Sequence, residues 1–218
     1  MINTTGLLLA LDLNPGYATA HHWIAVNFLP IVGRLEEAAR EIDIALALDP
    51  LSPIIAEGKA FLHLLASDYG QAEAELQHII DANPGFYRAW TSLGRLYIQM
   101  GFHEKALDAL ERGRQQVGDL PTILGAMGQA YGLMGETGKA REVVSSLEAL
   151  RRTRYAPATC LALTHLGLGE HDRAIEWLAT GLDCHEAGVT CIHVHPAYDR
   201  LRTHPAFPSL VARLRLPD

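Results

Sequence analysis

The chain has 218 residues, 49% hydrophobic and 20% charged, which is enough apolar side chain to bury a core and too much for a disordered chain. Its formal net charge of -7, from 18 basic and 25 acidic residues, excludes a nucleic-acid binder held by a broad basic face. Three cysteines (Cys160, Cys184, Cys191) are too few and odd in number for a disulfide framework.

In chain order, the first predicted element is a helix within 2–14. Its apolar run, Gly6 to Leu13, has no basic flank and contains Asp12, so it is too short to span a bilayer and a poor signal peptide. It reads as the second helix of a repeat whose first helix is missing, closed by Asn14-Pro15-Gly16. A half-repeat exposes an apolar face, so the expectation is the C-terminal part of a longer protein. The alternative is a lone helix acting as an N-terminal cap.

From there the sequence repeats. Ala38, Ala72, Ala106, Ala140 and Ala174 are 34 residues apart each time. Five residues before each stand Gly33, Ser67, Gly101, Gly135 and Gly169, and four after each stand Ile42, Leu76, Leu110, Val144 and Leu178. A further column holds Ala45, Ile79, Gly113, Leu147 and Gly181. Small residues are needed where two helices cross. A residue that ends a helix often needs positive φ. Branched aliphatics fill the core. Breakers at Pro50, Pro84 and Gly118 end the second helices. The spacing predicts helix pairs at about 19–32 with 35–48, 53–66 with 69–82, 87–100 with 103–116, 121–134 with 137–151, and 155–168 with 171–185. The repeats are then 19–50, 53–84, 87–118, 121–152 and 155–186, in one array over 1–218 with 187–218 as a C-terminal cap.

In the third copy Trp90, Leu93, Gly94 and Tyr97 share one helix face, followed by Gly101, Ala106 and Leu110. The fourth has Leu124, Met127, Gly128, Tyr131, Gly135 and Ala140. This pattern resembles the tetratricopeptide repeat (TPR) family. The resemblance implies an all-α fold, an α-α superhelix or TPR solenoid of about five helix-turn-helix repeats, with a concave groove lined by the first helix of each repeat. Carried onto this sequence, the family's groove positions are Trp23 and Asn27; Glu57, Phe61 and Leu64; Arg88, Thr91, Arg95 and Gln99; Thr122 and Gln129; and Leu163 and Leu166. Arg88 and Arg95 fall on one helix face, an expected clamp for a carboxylate or an acidic peptide. Trp23 and Phe61 are the expected apolar anchors. Phe61 and Glu57 depart from the polar and basic groups of carboxylate-clamp relatives, which argues against chaperone-tail binding.

After residue 187 the period is lost. His195-Pro196-Ala197-Tyr198 and His204-Pro205-Ala206-Phe207 resemble a tail of bacterial repeat proteins in which an acidic residue plus Pro opens each of two short helices. Here His replaces the acidic residue, so the caps are expected to differ. In those relatives the array often follows a DNA-binding, kinase or cyclase domain, and Tyr17 to Trp23 resembles the same group.

Cys184, His185, Cys191, His193 and His195 are the tightest group of metal-type residues, but they lack a CxxC or HxxxH pair and read as a capping loop. His21 and His22 are neighbours on a helix and point apart. Gly125, Gly128, Gly132 and Gly135 fall at helix positions, not in a phosphate loop, and no nucleophile or nucleotide motif is present. The expected function is non-catalytic protein–protein interaction, binding a protein or peptide in the groove as a module of a larger bacterial regulator, with self-association into a homo-oligomer as the alternative. No cofactor, metal, nucleic acid or membrane segment is expected. The expected location is cytoplasmic, or else an extracytoplasmic part of a membrane-anchored regulator.

Overall fold

The computed structural model describes residues 4–216. The described residues form α-helices, short 3-10 helices and turns, without strands. The helices are α1 (Thr4–Leu13), α2 (Ala18–Asn27), α3 (Leu35–Leu48), α4 (Pro53–Leu65), α5 (Tyr69–Ala82), α6 (Tyr87–Gln99), α7 (His103–Val117), α8 (Pro121–Leu133), α9 (Thr137–Thr153), α10 (Ala158–Gly167), α11 (His171–Asp183) and α12 (Phe207–Ala212). No described helix is long and apolar enough to cross a membrane. The chain divides into two compact units, one running up to Ser92 and the other Leu93–Arg215.

The 34-residue columns have the geometry their chemistry requires. All five column alanines are wholly buried at 0% exposure. Gly33, Gly101, Gly135 and Gly169 take φ between 74° and 79°, and Ser67 takes 60° at the same point in the second repeat. The left-handed conformation is thus a property of the repeat, and Ser67 bears a strain that glycine avoids.

In the first unit, Ile24, Ala25 and Leu29 pack on Ala38, Ile42 and Ala45, with Ile55 and Leu62 from α4 completing the core. Leu7 and Leu11 of α1 pack against this cluster, while Leu8, Leu9 and Leu13 are exposed. Helix α2 stops at Asn27 instead of near 32. Pro30 lacks an N–H, and its ring clashes with the carbonyl four residues back, so 28–33 form turns.

In the second unit, α8 and α10 approach closely along a row of small residues. A Cβ on Gly125 would lie 2.7 Å from Cys160 Cβ, one on Gly128 2.6 Å from Thr164 Oγ1, and one on Gly132 2.4 Å from the Gly167 carbonyl carbon. These glycines are therefore packing residues of α8. Beyond α11 the tail turns back: Val189, Ile192, Tyr198, Leu201, Phe207 and Leu210 join Leu166, Ala174 and Leu178 in one core cluster. Two 3-10 helices, Ala187–Val189 and Pro196–Leu201, precede α12.

Candidate interaction surface

The first unit carries the groove positions of α2, α4 and the start of α6. Trp23 is 48% exposed on α2, its ring edge-on to His22 at 6.2 Å. Asn27 is half-buried at the end of α2, Phe61 is half-buried on α4, and Leu64 is buried. Glu57 on α4 accepts from Arg88 Nη2 at 2.7 Å and Nε at 3.3 Å, and from Ser92 Oγ at 2.7 Å. Burial alone would lower the Arg88 pKa, but the Glu57 carboxylate outweighs it and raises the value. Burial lowers the pKa of the neighbouring His22; Arg88 acts in the same direction, against Glu57. Room for His22 comes from Gly58, where a Cβ would sit 2.9 Å from its Nε2.

This network changes the expected roles. Arg88 is bound to Glu57 of the preceding repeat and is not a free cation. Thr91 is buried and donates its hydroxyl to Tyr87 O of its own helix at 3.0 Å, so it offers nothing outward.

The second unit holds the remaining groove positions. Arg95 on α6 reaches Thr122 O through Nη2 at a long 3.4 Å, and its Nε is buried without a hydrogen-bond partner. Among the described residues it forms no ion pair. Gln99 and Gln129, with Ile98, Leu133 and Leu166, form one wall of a cavity of about 170 Å³. The remaining wall is the chain's own tail: Pro196, Ala197, Asp199 and Arg200. Gln129 and Leu166 are buried, and Leu163 packs against the cluster that holds the tail.

The metal-type residues of the tail have other work. His195 Nδ1 accepts the Ala197 N–H at 3.0 Å, and His204 Nδ1 accepts the Ala206 N–H at 3.2 Å. Each histidine thus takes the capping role expected of an acidic residue. Burial pulls the His195 pKa down to about 4, Arg95 adds to this and Asp199 opposes it. Among the described residues no three His, Cys, Asp or Glu side chains converge as a metal site. His21 bridges Glu41 at 2.6 Å and Pro15 O at 2.9 Å, a packing role.

Two clusters went unread in the sequence. Glu186 is buried, accepts the Ala158 N–H at 2.7 Å and pairs with Arg151 at 3.3 Å, which caps α10 and fastens the start of the tail. Its signal was position: it falls in phase with the helix breakers Pro50, Pro84 and Gly118, two repeat lengths after the last of them. On α9 to α11 a cavity of about 570 Å³ is lined by Arg141, His165, Glu170, Arg173, Glu176 and Trp177 among others. Several of its polar groups pair with one another, Arg141 and His165 with Glu170 at 2.6 and 2.7 Å, and Arg173 with Glu176 at 2.8 Å.

Residues 63–130 match the family model of the tetratricopeptide repeat. No curated relative matches the sequence. Among solved structures, the chain is similar to one in the APC/C hetero-tetramer Cut9–Hcn1, with 17% identity, 97% of this chain and 46% of that chain covered, and a TM-score of 0.67. The chain thus spans less than half the length of that relative. It is also similar to TTC0263, a thermophilic TPR protein of Thermus thermophilus, with 21% identity, 83% and 98% coverage and a TM-score of 0.62. A third similar structure is pilF of Pseudomonas aeruginosa, with 20% identity, 92% and 89% coverage and a TM-score of 0.56. The fold is all-α and of the TPR helix-pair kind, and residues 63–130 carry the sequence pattern of the tetratricopeptide repeat.

Proposed function

We propose that this chain is a non-catalytic scaffold that binds a polypeptide segment on the face made by the first helices of its repeats. The observation that carries this reading is Trp23, a large aromatic side chain held half in solvent on a first helix, on the same unit as the ordered Glu57–Arg88–Ser92 network. A rigid amphipathic ring supplies contact area at low entropic cost. The Glu57–Arg88 pair fixes where the polar groups point, and it offers a partner one partly satisfied carboxylate and one partly satisfied guanidinium. Sequence resemblance in the tail and in Tyr17 to Trp23 supports a role as a module of a larger bacterial regulator. A selection of displayed peptides on the full chain tests the reading. Peptides so selected should lose about tenfold in affinity, or about 1.4 kcal/mol, on Trp23→Ala, with helicity unchanged. Equal binding by the variant rejects it.

A second reading, self-association, is favoured by one observation: Leu8, Leu9 and Leu13 of α1 are 54%, 55% and 79% exposed. Light scattering across a concentration series checks it, and a mass that stays monomeric removes it.

A further inference from the structure

We propose that the tail segment 191–201 is an intramolecular ligand of the second unit's inner face, displaced when an acidic polypeptide segment binds to Arg95, Gln99 and Gln129. This rests on the scaffold reading above and adds to it a regulated site and the chemistry of its occupant.

Three observations carry it. First, the tail lies on the positions where the family's groove residues are found. Pro196, Ala197, Asp199 and Arg200 face Gln99 and Gln129 across a cavity of about 170 Å³ that the segment leaves unfilled. Second, the segment is held by three anchors: Ile192, Tyr198 and Leu201 are buried in the cluster that holds Leu166, while Asp199 and Arg200 are exposed. Third, the fit is chemically incomplete at one point. Arg95 lies close enough to His195, Tyr198, Cys191 and Cys160 to perturb the ionisation of all four. Yet none of these gives its buried Nε an acceptor, and among the described residues its one hydrogen bond is the long one to Thr122 O.

A guanidinium whose Nε is buried without an acceptor gains charge-assisted hydrogen bonds when a carboxylate reaches it. The resident segment does not supply one, because its acidic side chain, Asp199, is turned to Arg202 at 2.7 Å. An incoming Asp or Glu side chain, or a chain-terminal carboxylate, gains what the tail forgoes. An imperfect intramolecular ligand also sets a threshold, because a partner's apparent affinity falls by the fraction of molecules whose tail is seated. The amides at Gln99 and Gln129 supply further polar contacts, with Leu133 and Leu166 forming an apolar floor.

The test uses the full chain. Native-state amide exchange should show the N–H groups of Tyr198 and Arg202, which bond His195 O and Asp199 O, exchanging through an opening that leaves α8 and α10 protected. A fluorescent glutamate-rich peptide is the binding probe. Tyr198→Ala, with helicity checked by circular dichroism, should bind that peptide at least tenfold more tightly than wild type, and adding Arg95→Met should remove the gain. Ala197→Gly, a milder loosening of the same segment, should fall between wild type and Tyr198→Ala. Tail amides that exchange only together with α8 and α10 overturn the inference and leave the scaffold reading standing on the first unit. A tail that opens while no protein captures the peptide overturns the inference and the scaffold reading of this unit together.

Discussion

At the residue scale, close packing decides which positions tolerate change. Gly132 and Gly138 are both helical glycines, but their surroundings differ. A Cβ on Gly132 would meet the backbone of Gly167 and Leu168 at 2.4 and 2.6 Å, whereas one on Gly138 meets nothing within 4 Å. Backbone cannot step aside as a flexible side chain can. Gly132→Ala should therefore destabilise the chain by about 1–3 kcal/mol, and Gly138→Ala should stabilise it by about 0.5–1 kcal/mol. Urea denaturation of the two variants checks the contrast, and equal midpoints would refute it. Glu186 makes the second residue-scale case. Its carboxylate is nearly solvent-free, caps the first turn of α10 and pairs with Arg151. Glu186→Ala strands both partners and should cost about 3 kcal/mol, read as a fall in the urea midpoint.

At the scale of elements, the two His-Pro-Ala turns of the tail share a device. An imidazole Nδ1 can accept a backbone N–H only while it is unprotonated. His195 is the sharper case, since burial holds its folded-state pKa at about 4 against an ordinary 6.5. The sign follows directly. Above pH 6.5 both folded and unfolded forms are neutral, and the cap is fully available. Between 6.5 and about 4 the unfolded chain takes up a proton that the folded chain does not, so stability falls as pH falls. The loss amounts to about 3 kcal/mol once pH reaches the folded value. His195→Asn keeps an acceptor at the cap and removes the titration. Across pH 7 to 4 its stability should decline by about 3 kcal/mol less than that of wild type, and parallel curves would contradict this account.

The same elements show what a sequence can and cannot disclose. The helix pairs were legible because one steric demand, a small residue at the crossing, recurs every 34 residues as Ala38 to Ala174. The early end of α2 was also written in the chain, at Pro30, though the periodic pattern ran over it. The course of the tail was not legible. An aperiodic segment is positioned by tertiary contacts, and nothing in the order His195-Pro196-Ala197-Tyr198 says that Ala197 faces Gln129. Arg88 and Arg95 illustrate the same limit at the site. Their spacing places them on one helix face, but only the fold gives Arg88 to Glu57 and leaves the Arg95 Nε without an acceptor.

At the scale of the whole molecule, each unit carries expected groove positions of its own. In the first, Trp23 is exposed and Glu57 is paired with Arg88 and Ser92. In the second, Gln99 and Gln129 are faced by the chain's own tail. Under the two proposals, the first unit binds constitutively and the second conditionally. The central claim is that polypeptides bind on the first helices of the repeats, and amide-exchange footprinting of the full chain with a selected peptide tests it most directly. The account predicts new protection on α2 around Trp23 and on α4 around Phe61, with α3 and α5 unchanged. Protection confined to α3 and α5, or absent from both sets at saturating peptide, would contradict it.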